Sequence, residues 1–450
     1  MIAAVTTLLV TLPLVGTAAA AGAQTPSEWT TYAMVGTHNA HFPSDFPAVS
    51  WTFVTPGADR IDRRIVRSNT EIRDLVGFPI GAAVVDGKVF ASNDNGYVYC
   101  LDAMTGKLLW SRYLYNQIMS TPIVVKTDAG EMVVAGIGNS DFTYSHARKF
   151  GVANAQVIRG TGISGVAALD AKIGEIVWFQ PTEGQDMPTP AYVSGKLIFG
   201  NGDGHVYALD AKDGKIVWKT PIHSFVSMSS ATPVAEGRIV VMGGTQPSRI
   251  YGVNSTDGKL LWSFEPKDVF SSSAGDGTWA GHGSVAVGQI EIHSQGQAEG
   301  MSSSQELAVN AKTGEILWSR VLGSGKVPPR NKDAVPVIAD GVIYTGSPVT
   351  HHEYAVSLAS GKVLWDVAMP AGMKAAPMVV GEAVIQPLGN GEIHALDRKT
   401  GRTLHVYHGK HGGFGPQNGV LVGKTYFIGS NAGYFQAIPL AELIGTAGGH

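Results

Sequence analysis

The chain is poor in charge and in cysteine, and each shortage argues against a class of protein. Asp, Glu, Lys and Arg together make up 15% of the 450 residues, and the net charge is −3. Nucleic acid is not an expected partner, because phosphate recognition needs a basic face. Disorder is not expected either, since 44% of the residues are hydrophobic and disordered chains are weakly hydrophobic with high net charge. Cys100 is the only cysteine, so no disulfide can form within one chain and no lipid-bearing cysteine stands near the N-terminus. Long apolar runs are also scarce. The run from Ile2 to Val15 is short and carries Pro13, which argues against a stable membrane span. With the Ala-rich stretch up to Ala23 it reads as a secretory signal, even though no Lys or Arg follows Met1. The expected organisation is a signal over residues 1–23 and a single domain over 24–450, exported to the periplasm without stable membrane insertion.

Glycine, at 57 residues, is abundant, and a short phrase recurs seven times. Its first copy is Leu101-Asp102-Ala103-Met104-Thr105-Gly106-Lys107-Leu108-Leu109-Trp110. The glycines are Gly106, Gly174, Gly214, Gly258, Gly314, Gly361 and Gly401; four residues after each stands Trp110, Trp178, Trp218, Trp262, Trp318, Trp365 or, in the last copy, His405. A period of roughly 40–50 residues with strand-like alternation inside each unit is the pattern of propeller blades. Within the phrase, Asp can bond backbone two residues on and Gly supplies positive φ, so it reads as a hairpin turn between two strands. A flat Trp at one register in successive blades is expected to wedge between neighbouring sheets.

Inner strands are expected near Pro79, Pro122, Pro190, Pro233, Pro336 and Pro377, with the fifth near Gly283-Ser284-Val285-Ala286. An eighth inner strand fits Gly419-Val420-Leu421-Val422. That last unit lacks its own outer strand, and Trp51-Thr52-Phe53 has the pattern to supply it. The expectation is an all-β, eight-bladed propeller whose last blade is closed by an N-terminal strand; seven blades is the alternative count. The longest insertion, from about Ser140 to Gly160 in the second blade, is expected to be a functional or dimer-forming loop.

The repeats resemble those of the pyrroloquinoline-quinone (PQQ) propeller superfamily. That superfamily includes quinoprotein alcohol dehydrogenases, an outer-membrane assembly lipoprotein and tetrathionate hydrolases. The resemblance implies the fold strongly and the activity weakly. Gly275-Asp276-Gly277-Thr278-Trp279 is similar to the segment that places a Trp beneath the quinone in the dehydrogenases, and Asp333 falls roughly where their catalytic Asp would. Their quinone is clamped by a calcium or lanthanide ion, which needs hard oxygen ligands. Here Arg159 stands where a ligating carboxylate is expected, and their adjacent cysteines are absent. PQQ with calcium is therefore the runner-up cofactor assignment, and no cofactor is the leading one. A non-catalytic scaffold resembling the assembly lipoprotein is a further alternative, here without the lipidated cysteine.

The loops leading to the inner strands favour the hydrolase branch. Met119, Met187, Met228 and Met373 each precede an inner-strand proline by three to five residues. Their thioethers suit a chain of sulfur atoms, while the alternative is that they fill a tapering core. Arg148, Arg159, Lys326, Arg330 and Lys332 could hold anionic sulfonates by charge-assisted hydrogen bonds, or form solvated loops. A carboxylate there could act as general base on water. Asp276 is the first choice, beside Trp279 and His282; Asp333 is second and Asp186 third. The resemblance thus implies a tetrathionate hydrolase type of chemistry on a small anionic substrate, with a homodimer as a possible assembly. The histidines His223, His282, His293, His351, His352, His408 and His411 show no ligand spacing beyond the His351-His352 pair, so no metal site is expected.

Overall fold

The computed structural model describes residues 35–61, 75–128, 130–138, 163–269, 277–293, 296–328 and 334–445. The recurrent turn is built as its chemistry requires. Asp102 Oδ1 accepts from the Met104 and Thr105 N–H groups and from the Thr105 hydroxyl. Gly106 then takes φ 70°, and its N–H closes the turn on the Asp102 carbonyl at 2.8 Å. The chain reverses and Leu108–Tyr113 returns beside Tyr97–Asp102.

Among the described residues there are eight sheets, each one blade, and seven of them carry this hairpin. The first blade runs Ala82–Val85, Lys88–Ser92, Tyr97–Asp102 and Leu108–Tyr113 from inside to outside. The fifth is the longest, with Val285–Ile292, Met301–Asn310 and Ile316–Lys326 behind a short inner strand, Ala280–His282. That inner strand corrects the expectation of a strand starting near Gly283. Gly283 adopts φ 57° and turns the chain, so Val285 begins the second strand.

Neighbouring blades are joined by the aromatic wedge. Trp110 lies against Gly174, Trp178 against Gly214, Trp318 against Gly361 and Trp365 against Gly401. The Trp318 indole N–H also donates to the Leu358 carbonyl of the next blade at 2.8 Å, and Trp365 does the same to Arg398 at 3.0 Å. A Cβ on any of these turn glycines would meet the indole at 2.5–2.7 Å, so Gly serves both the dihedral angle and the stack.

Ring closure is as the sequence indicates, with one addition. Val420–Val422, Thr425–Gly429 and Tyr434–Pro439 form three strands of the eighth blade, and Trp51–Val54 pairs antiparallel with Tyr434–Pro439 as the fourth. Trp51 covers Gly106 of the first blade, completing the ring. The addition is His41–Phe42, which pairs parallel with Val420–Val422 on the innermost side.

Candidate functional site at the mouth of the ring

Antiparallel order decides which loops meet. The crossing loops from an outer strand to the next inner strand lie at the same end of the ring as the loops between second and third strands. The Asp–Gly turns lie at the opposite end. The crossing loops therefore form the mouth.

A belt of hydrogen bonds ties these loops together. The Gly81 N–H donates to Thr121 Oγ1, Thr121 to Thr189 Oγ1, Thr189 to Ser230 Oγ and Ser230 to Thr278 Oγ1, at 2.9–3.1 Å. On the far side the Ala376 N–H donates to Asn418 Oδ1 at 2.5 Å. Each donor and acceptor belongs to adjacent blades, so the belt holds successive loops in one register. Met119, Met187 and Met228 all stand two residues before a belt residue, and Met373 three before Ala376. All four are buried in one continuous apolar cluster.

The other expected residues are distributed as follows. Trp279 follows the belt residue Thr278 and is buried in the core, its ring over Gly288. His282 ends the same inner strand and is exposed at the end away from the mouth, apart from the methionines. Lys326 ends the outer strand of the fifth blade, exposed on the mouth side. Asp276, Asp333, Arg159, Arg148, Arg330 and Lys332 lie outside the described residues, as does the Ser140–Gly160 insertion.

Asp186 is fully buried in the loop before the third inner strand. It accepts from the Asn201 amide at 2.6 Å and from the Thr182 hydroxyl. Burial pushes its carboxyl up to about 8 despite those bonds, which favour the ionised form. Two further buried acids were not evident from the sequence. Glu306 and Glu353 are completely buried on the third strands of the fifth and sixth blades. Burial pushes Glu306 up to about 8 and Glu353 well above the ordinary carboxylate range, with the Glu306 charge adding to the second shift. Superposing all eight repeats on the wedge position is the sequence signal that would have exposed them.

The floor of the mouth is made by the N-terminal segment. The Gly281, Ile338 and Leu421 N–H groups donate to the carbonyls of Gly36, Thr37 and Ala40, and Asn39 exchanges two hydrogen bonds with Val379. These partners lie on the inner strands of the fifth to eighth blades, so Gly36–Phe42 lines the inside of half the ring. Gly281 is three residues past the belt, which puts the floor roughly 10 Å below it at the strand rise of about 3.3 Å per residue. His38 sits in this floor at φ 61°, and its burial lowers the imidazole to about 3, leaving it neutral.

The ring, its repeat phrase and its wedge tryptophans define the class: an all-β propeller of the PQQ-repeat type. The family described as outer membrane protein assembly factor BamB matches residues 51–144, 135–268, 162–347 and 303–438. A quinohemoprotein alcohol dehydrogenase from Pseudomonas putida HK5 shares the fold, with TM-score 0.53 at 14% identity over 94% of this chain and 81% of that one. Tetrathionate hydrolase from Acidithiobacillus ferrooxidans is 31% identical over 443 residues, covering 93% of this chain and 87% of that protein. Its counterpart from Acidianus ambivalens is 26% identical, over 82% of this chain and 72% of that protein. The chain belongs to the tetrathionate hydrolase family within the PQQ-repeat propellers.

Proposed function

We propose that this protein is an exported, periplasmic hydrolase that cleaves a sulfur–sulfur bond of a polythionate dianion at the mouth of the ring, without a cofactor. The observation that carries the reading is the 31% identity to a tetrathionate hydrolase over 93% of the chain. In the reaction, Asp276 takes a proton from water while the water oxygen bonds to an inner sulfur of tetrathionate. The adjacent S–S bond breaks, and thiosulfate leaves with its electron pair; the hydroxylated two-sulfur half and one proton complete the balance. Asp333 is the second candidate base. Asp276 precedes Thr278 by the same two residues that separate Met119, Met187 and Met228 from their belt residues, a register that supports a common site. The thioethers offer soft contacts to the sulfur chain, and Arg159 with Lys326 offers charge to the terminal sulfonates.

The test is thiosulfate release from tetrathionate by purified protein at acidic and neutral pH, after chelator treatment and without added quinone. Turnover is expected, and Asp276→Asn is expected to lower kcat at least about a hundredfold, the usual contribution of a general base. Absence of turnover at every pH would reject the reading.

A further inference from the structure

The residue two positions before the wedge's cross-strand partner is Val98, Val166, Val206, Ile250, Ile393 or Phe435 in six blades. All six are buried. In the fifth and sixth blades the same register is occupied by Glu306 and Glu353, also completely buried. Two neighbouring blades thus place a carboxyl where the others place hydrocarbon.

The surroundings do little to hold a charge there. No carboxyl oxygen of either residue makes a hydrogen bond of normal geometry among the described residues, and the nearby Gln289 amide favours a charge on Glu306 less than burial opposes it. Gln289, directly across from Glu306, directs its amide to Thr345 Oγ1 and the Gly346 carbonyl, at 3.1 and 2.9 Å. Glu353 pairs with Gly346, whose missing side chain leaves room for the carboxyl and for Met373. The charged and titratable groups of the surrounding elements are Glu291 on the second strand of the fifth blade, Arg320 and Lys326 on its outer strand, His352, Tyr354 and Asp366 in the sixth blade, and Lys374 in the following loop. Arg320 is exposed and donates to the Gly361 carbonyl, His352 pairs with Asp366, and Tyr354 bonds Thr350. A carboxylate buried without a partner is unfavourable, and two near each other are worse.

We propose that Glu306 and Glu353 form a proton-holding couple that keeps the wall between the fifth and seventh blades closed in acid and loosens it as the solution becomes alkaline. The sign follows from the direction of the shifts. A carboxyl raised in the fold contributes its stability fully below the unfolded value near 4.5 and loses it as pH rises through about 8. The proposal does not depend on the substrate.

The experiment is thermal unfolding of the full chain as a function of pH, beside an infrared spectrum at neutral pH. The parent is expected to lose Tm progressively between pH 4.5 and pH 8 and beyond, and to show a desolvated, protonated carboxyl band. In the double variant Glu306→Gln/Glu353→Gln the decline is expected to flatten, and the band to weaken. If that pair folds poorly, Glu306→Val/Glu353→Val, which restores the residue of the other blades, is expected to flatten the decline equally. Asp186 shares the same sign, so a residual slope that disappears on adding Asp186→Asn is consistent with the couple. A pH decline unchanged in both pairs, or both glutamates ionised at neutral pH in the parent, would overturn it.

Discussion

Asp186 shows how burial at one residue becomes a property of the molecule. Its two hydrogen bonds favour the carboxylate, yet removal from water outweighs them and the carboxyl holds its proton up to about 8. Its contribution to stability is therefore present below the ordinary value of 3.8 and lost as pH rises through about 8. Asp186→Asn is expected to lower stability modestly in acid, by about 1 kcal/mol for a perturbed hydrogen bond, and to reduce the decline above neutrality; unfolding at two pH values measures both. The methionines offer a second test. Met187→Leu nearly conserves volume and should cost less than about 1.5 kcal/mol. If the thioether touches the sulfur chain, KM for tetrathionate is expected to rise several-fold with Tm nearly unchanged, whereas an unaltered KM would mark a packing residue. The methionine positions were legible because each lies a short step before an inner strand. Glu306 and Glu353 were not, because either alone reads as one polar residue in an alternating strand.

At the scale of the element, the turn and wedge carry the most information in the sequence. Asp or Asn stands at the acceptor position in every turn but that at Ser357, Gly supplies the positive φ, and the indole four residues later meets the equivalent Gly of the next blade. Gly361→Ala combines a φ of 66° with a Cβ 2.6 Å from the Trp318 ring, so strain and overpacking add. A loss of about 2–4 kcal/mol is expected. Trp318→Ala should cost a comparable amount through lost burial and the lost bond to Leu358. Denaturant unfolding of both variants measures these losses, and a change below about 0.5 kcal/mol in either would show that the wedge is dispensable at that junction. The fifth inner strand was misplaced from the sequence for a local reason. Ala280-Gly281-His282 is short and has no proline directly before it, while Val285–Ile292 is long and strongly β-forming.

For the whole molecule, closure is the decisive feature. Strands from the two ends of the chain share one blade, so the outer edge of Tyr434–Pro439 is covered by Trp51–Val54. Trp51→Ala removes the wedge onto Gly106 and the indole bond to Ala103. It is expected to lower Tm and to increase aggregation above it, more than the equivalent change within a covalently continuous blade such as Trp318→Ala. Calorimetry with light scattering compares the two. Closure by Trp51-Thr52-Phe53 was readable because the last repeat lacked an outer strand and the first segment carried the matching pattern. The floor formed by Gly36–Phe42 was not readable, since it has no period and its partners lie roughly 245 to 380 residues away in the chain.

The amino-acid sequence by itself determined the repeat, the turn chemistry and the wedge, because each is a local pattern repeated at a fixed spacing, and it favoured eight blades over seven. It also carried the family, through residues spread along nearly the whole chain. Tertiary structure alone decided which residues share the mouth, that an N-terminal segment crosses the inside of the ring, and that two glutamates lie buried at one register of adjacent blades. Those features depend on which loops converge and on how much water each group loses. Neither quantity has a signature in a single stretch of sequence, because convergence and desolvation arise only when distant strands close into a ring.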